Sequence, residues 1–237
     1  MALPKLGYPT YELELPSTGK TIKYRPFLVK EEKVLLMALE SKDEKQVIGA
    51  VKDLIKNCVI TRIKVESLPS FDLEYLFLKI RGASIGETIT LTVTCQDDNK
   101  TQVEANININ EVEIFKPEGH DKKIMFDDKT GLVMRYPSMK EFVDREFLQK
   151  EMKTEDVYEF IADSIDQIFD DEEVYDSSTT SKKEFRTFVD SLTTKQFEKI
   201  QQFYTTCPKL SHTFKVVNPN TGKESSYTIE GLQSFFA

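Results

Sequence analysis

The chain has 237 residues, 39% hydrophobic and 30% charged, an ordinary composition for a globular protein long enough to bury a core. Forty acidic against thirty-two basic side chains leave a net charge of −8, which argues against an electrostatic grip on nucleic acid or anionic lipid. The apolar runs are too short for a membrane-spanning segment, and MALPKLGYPTYELELP lacks the basic-then-apolar order of a secretion signal. Cys58, Cys95 and Cys207 are too few and scattered for a disulfide framework, so the expectation is a reduced protein that folds in a cytoplasm.

Tyr11, Leu13 and Leu15 alternate with Glu12 and Glu14, Pro16 to Lys20 turns, and Thr21 to Arg25 alternates back, which predicts a β-hairpin. From Lys30 to Ser41, Val34, Leu35, Met37, Ala38 and Leu39 recur at three-and-four spacing behind Glu31 and Glu32, as in an amphipathic helix. A second helix starts at the N-cap candidate Asp43 and carries Val47, Ile48, Val51, Leu54, Ile55 and Cys58 at helical intervals. The stretch Phe71 to Ile80 is apolar on more than one face, so a third helix there is expected to be largely buried.

The period then falls to two. Ile89, Leu91 and Val93 face Val103, Ala105, Ile107 and Ile109 across a turn at Asp97 to Lys100, and a third hairpin joins 123–126 to 131–136 before Pro137. Helices are expected at Met139 to Lys150 and at Thr154 to Phe169. Asp170 to Ser181, acidic and then hydroxyl-rich, reads as an exposed loop. Helices around Lys183 to Ser191 and Thr194 to Tyr204 precede a last hairpin, His212 to Val217 and Lys223 to Ile229, then an apolar turn with Leu232, Phe235 and Phe236. The expected fold class is α+β: antiparallel hairpins packed with helices, and a helical C-terminal part ending in a small β-hairpin. The expected division is an N-terminal α+β domain over 1–137 and a mostly helical part over 138–237.

Catalytic signatures are weak, and no catalytic or cofactor-binding residue is nominated. With His120 and His212 the only histidines, Cys207 and His212 are the one close thiol–imidazole pair in sequence, and a buried thiol beside a strand-edge histidine is the plainer reading. Gly19-Lys20-Thr21 lacks the earlier glycine and the strand-to-helix context of a phosphate loop, so it reads as a hairpin turn. The acids at 170–173 lack the alternation of a calcium loop. A zinc knuckle needs paired cysteines in a tight turn, and here Cys95 stands alone at one turn while Asn218 and Asn220 occupy another of knuckle shape, so the expectation is no bound metal.

Several blocks carry a resemblance: Leu15 to Lys20, Tyr24 to Lys33 continuing to Glu40-Ser41, Phe71 to Phe77 with Ile80-Arg81 and Gly86-Glu87, Tyr136-Pro137, Pro208 to His212, and Gly231 to Phe236. Together they resemble the T4-type bacteriophage base plate protein family, the small tail baseplate hub and hub-assembly proteins of contractile phages. The resemblance implies a non-enzymatic virion or assembly protein, made late in infection in the host cytoplasm, whose partners are other tail baseplate hub proteins. It also implies Cys-x-x-Cys pairs in relatives at the two turns noted above, of which Cys95, Asn218 and Asn220 are a vestige. Two alternatives stay open: a transient hub-assembly chaperone absent from the mature virion, and a tail-associated hydrolase. The partner-binding candidates are Arg25, Phe27, Phe235 and Phe236, with Arg25 expected to be pinned by an acid such as Glu74, and Phe235 and Phe236 either capping the protein's own core or entering a partner.

Overall fold

A computed structural model describes residues 6–138 and 154–231. Six α-helices and eleven strands in small antiparallel sheets lie among them, an α+β protein. They fall into two compact units, Met1–Phe115 with Lys209–Ala237, and Lys116–Pro208. The expected cut between 137 and 138 is therefore displaced, because strand pairing crosses it. The strand at 131–134 pairs with one at 165–169, and the C-terminal hairpin joins a strand at 113–115.

In the first unit, β1 (Tyr11–Glu14) and β2 (Thr21–Tyr24) form the expected hairpin, with Leu13 opposite Ile22. Gly19 at φ 67° closes the turn, in the left-handed region that favours glycine. Helices α1 (Val29–Ser41) and α2 (Glu44–Cys58) follow, and the amide of Val47 bonds the carbonyl of Asp43 at 3.0 Å in the first turn of α2. Helix α3 (Ser70–Ile85) buries Phe71, Leu73, Leu76, Phe77, Leu78 and Ile80, as its apolar density requires. The hairpin β3 (Thr88–Thr94) and β4 (Gln102–Asn108) turns Ile89, Leu91, Ala105 and Ile107 inward against Leu78, Ile109, Leu210 and Val216. Strand β5 (Glu113–Phe115), which no periodicity announced, pairs with β10 (Lys209–Val217), and β10 pairs with β11 (Glu224–Glu230).

The second unit is a four-stranded antiparallel sheet, β6 (Lys123–Met125), β7 (Gly131–Met134), β8 (Ile165–Phe169) and β9 (Val174–Asp176), with helices α4 (Thr154–Asp163), α5 (Lys182–Asp190) and α6 (Thr194–Thr205). Two expectations are corrected here. The helix expected to reach Phe169 stops at Asp163, and Ile165 to Phe169 become a strand beside β7. Ile165, Ile168 and Phe169 suit a strand by their own propensity, and the pairing with β7 decides it. The loop expected over 170–181 contains β9, paired to β8 through Ile168 and Tyr175. Ser181 with Glu184 and Thr193 with Gln196 form capping boxes that start α5 and α6. The helix expected at Met139 to Lys150 lies outside the described residues.

Candidate functional site

Arg25, nominated for partner contact, points inward. It is only 7% exposed, and its guanidinium donates to the carbonyls of Pro26 at 2.8 Å and Asn57 at 3.0 Å and to both oxygens of Glu31, at 3.0 and 3.5 Å. The acid is Glu31 rather than Glu74: Glu31 stands one turn into α1, where its carboxylate also accepts the Leu28 amide at 2.6 Å. Burial opposes ionisation of Glu31, but Arg25 and the Leu28 amide outweigh it and hold the carboxyl below its ordinary range. Phe27 is also buried, and its amide donates to the Ser84 hydroxyl at 2.9 Å. Both residues join the first hairpin to α1, α2 and α3, so their placement is structural. Phe235 and Phe236 lie outside the described residues.

The first hairpin is held from its tip as well. The amide of Ser17 donates to Asp72 Oδ1 at 3.0 Å and its hydroxyl to Oδ2, which ties the turn to the first turn of α3. Burial raises the Asp72 carboxyl above its ordinary range, and the two Ser17 bonds only partly oppose this.

The two knuckle-shaped turns, distant in sequence, meet in the structure. The buried Asn218 amide donates to Asp97 Oδ1 at 2.9 Å and to Asp98 Oδ2 at 3.1 Å. Asn220 donates to the Thr101 hydroxyl at 2.9 Å, and the Thr221 hydroxyl donates to Asp97. Nearby, the Tyr227 hydroxyl donates to the Thr94 carbonyl at 2.9 Å and accepts the Gln96 amide at 3.1 Å. The Thr101 hydroxyl, the Thr101 and Lys100 amides, and then Asn218 hold Asp98 far below the carboxylate range. The donor set does not fit a zinc knuckle. Cys95 is the only thiol in either turn, its proton is held by burial and by the adjacent Asp97 and Asp98, and both carboxylates are engaged with Asn218. Among the described residues no three His, Cys, Asp or Glu side chains converge as metal ligands.

The other reactive side chains are engaged in packing. Burial pushes the Cys58 thiol up to about 11. Cys207 packs against the core of the second unit, whereas His212 belongs to the first unit and stacks on Phe214. His120, Tyr136 and Phe203 form a three-ring cluster in which each ring contacts the other two, with His120 Nδ1 2.9 Å from the Thr206 hydroxyl and Nε2 3.0 Å from the Tyr136 hydroxyl. Burial lowers its affinity for a second proton.

What the sequence reading missed is on α1. Only Leu35 and Ala38 of its apolar residues are buried, while Val29 is 80% exposed, Met37 59%, Val34 53% and Leu36 52%. Residues 34 and 37, assigned to the inner stripe, face out. The available signal was number: α1 carries more large apolar residues than one stripe holds. Among the described residues no helix is long and apolar enough to cross a membrane.

Comparison with known proteins returns no match among curated proteins and none among solved structures. Residues 8–237 match the family described as T4 bacteriophage base plate protein. A match over nearly the whole of this α+β chain makes it a member of the T4 bacteriophage base plate protein family, a baseplate component that associates with other phage tail proteins.

Proposed function

We propose that the protein is a non-enzymatic structural or assembly component acting at the central hub of the baseplate, in the host cytoplasm while tails assemble, with no resident cofactor. The observation that carries this reading is the outer face of α1, where Val29, Val34, Leu36 and Met37 stand exposed on one 13-residue helix. Exposed apolar clusters of this kind mark protein–protein contact. The family supplies the setting, a phage baseplate built from many chains in contact. In this reading, the hydrogen bonds between the turns at 95–101 and 218–222 do the joining that a metal does in a knuckle.

A phage carrying an early stop codon in this gene tests the reading. Electron microscopy of the assembly products is expected to show baseplates that lack a complete hub. Intact baseplates on particles that fail only at host entry would instead mark a tail-associated hydrolase. Mass spectrometry of purified particles beside the lysate then separates two forms of the role: stoichiometric peptides in particles mean a resident hub subunit, and peptides only in the lysate mean an assembly chaperone.

A further inference from the structure

Strand β3 runs Thr-Ile-Thr-Leu-Thr-Val-Thr over Thr88–Thr94, and its only strand partner among the described residues is β4. The hydrogen bonds of this ladder fall on odd-numbered residues: the Cys95 amide donates to the Thr101 carbonyl and the Ile109 amide to the Glu87 carbonyl, each at 2.7 Å. In an antiparallel pair that alternation turns the amides and carbonyls of Thr88, Thr90 and Thr92 away from β4, toward the outer edge. The Thr94 carbonyl, next in the series, shows the direction, since the Tyr227 hydroxyl donates to it from outside the pair at 2.9 Å. Thr88, Thr90 and Thr92 are exposed, and among the described residues no hydrogen bond reaches their backbone from that side.

An unpaired edge is a template for another strand, and folded proteins guard such edges with charge, proline, brevity or a bulge. Among the described residues the other edge strands follow that rule. Each carries at least one charged residue, as Glu104 on β4, Lys123 on β6, Asp176 on β9 and Glu224 and Glu230 on β11. Strand β3 has no charge, no proline and no break in register over its seven residues, and all but Leu91 are β-branched.

We infer that the outer edge of β3 is a strand-docking site for an extended segment of another protein, one with alternating apolar and polar side chains and Lys or Arg at its ends. Main-chain bonds to Thr88, Thr90 and Thr92 supply the pairing, and the pleat sets the alternation: apolar side chains beside Ile89 and Leu91, polar ones beside the threonines. The basic ends follow from the surroundings. Between 86 and 115 six acids stand against Lys100 alone, with Glu87 just before β3 and Asp97 and Asp98 just after it. Lys79 of α3, which acts on Glu87 and Glu113, leaves the excess acidic. A second copy would set two such hairpins against each other, and their like charge opposes that. The edge is a contact surface separate from the outer face of α1, and it rests on the reading above only for its partner being another baseplate protein.

Amide exchange of the purified full chain, resolved by NMR, tests whether the edge is open. The Thr88, Thr90 and Thr92 amides are expected to exchange at least about tenfold faster than those of Ile89, Leu91 and Val93. Photo-cross-linking then tests the docking. The full chain carrying Thr92→p-benzoylphenylalanine is supplied during infection to the stop-codon phage and irradiated, and its adducts are sequenced by mass spectrometry. The expected adduct is a peptide of another baseplate protein with alternating apolar and polar residues bounded by Lys or Arg. Adding Thr90→Pro removes an outward amide and no ladder bond, and is expected to cut the yield at least about tenfold. Asn106→Pro makes the same change on the outer edge of β4 and is expected to leave the yield within about twofold. Should Thr90→Pro not fold, Thr88→Pro at the first residue of the strand replaces it.

Outer-edge amides already protected in the free chain, no adduct, an adduct to a second copy or to a segment without that pattern, or a yield indifferent to Thr90→Pro would overturn the site. So would an equal loss on Asn106→Pro. A Thr90→Pro-sensitive adduct to such a segment of a protein that no baseplate contains would keep the docking edge and overturn the hub reading. Hub assembly that fails without the gene while no edge-dependent adduct forms would do the reverse.

Discussion

Glu31 spends both carboxylate oxygens inside the protein, one on Arg25 at 3.0 Å and the other on the Leu28 amide at 2.6 Å. Arg25→Met therefore leaves the buried carboxylate with only the exposed Lys30 ammonium, 3.5 Å from Oε1, as a cation, and the expected cost is about 3 kcal/mol. Arg25→Met combined with Glu31→Gln should cost less than the sum of the two single changes, a coupling that urea unfolding of the four proteins measures. The pH dependence has a definite sign. A carboxyl held below its unfolded value stabilises fully above about pH 4.3, and that contribution is lost as pH falls through the folded value. Asp72 behaves oppositely, since burial raises its carboxyl and favours the neutral form, so its ionisation opposes folding as pH rises. The need of Arg25 for an acid was legible in the sequence. The choice of Glu31 was not, because it depends on how Pro26 and Phe27 turn the chain into α1.

Gly131 shows an element depending on one missing atom. A Cβ there would lie 2.6 Å from the Ile124 carbonyl oxygen and 2.7 Å from the Phe169 ring, so β6, β7 and β8 pair closely only around glycine. Gly131→Ala is expected to cost about 1–3 kcal/mol, the price of overpacking, read as a lower urea midpoint. Gly82→Ala is the control: its Cβ would meet only the Ile109 side chain at 3.4 Å, and a smaller loss is expected. Elements with one clear period, such as the β3–β4 hairpin and the buried α3, are readable locally because burial follows the repeat. Residues 165–169 are not. Ile165, Ile168 and Phe169 fit an apolar helix face as well as a strand, and only the partner β7 distinguishes them. Helix α1 misleads in another way, since its surplus apolar residues match a helix period while facing out.

At the scale of the whole molecule, the turn at 95–101 and the turn at 218–222 hold two hairpins together across more than half the chain. Asn218→Ala removes the donors to Asp97 and Asp98. Amide exchange is expected to quicken at both turns, and the Asp97 carboxyl to move back up toward its ordinary value in an NMR titration, because Asn218 is the first cause of its lowering. An unchanged titration would show that the turns do not depend on each other. Both carboxyls lie below their ordinary range, so this contact is expected to weaken as pH falls below about 3.9. The sequence by itself determined the α+β class, the hairpins, most helix starts and the family, because periodicity, caps and turn residues act over a few neighbouring positions. Tertiary structure alone decided that 209–230 joins the first unit through β5, that Arg25 pairs with Glu31, and that the two turns meet. Those outcomes depend on which distant surfaces bury each other, and no local pattern encodes that.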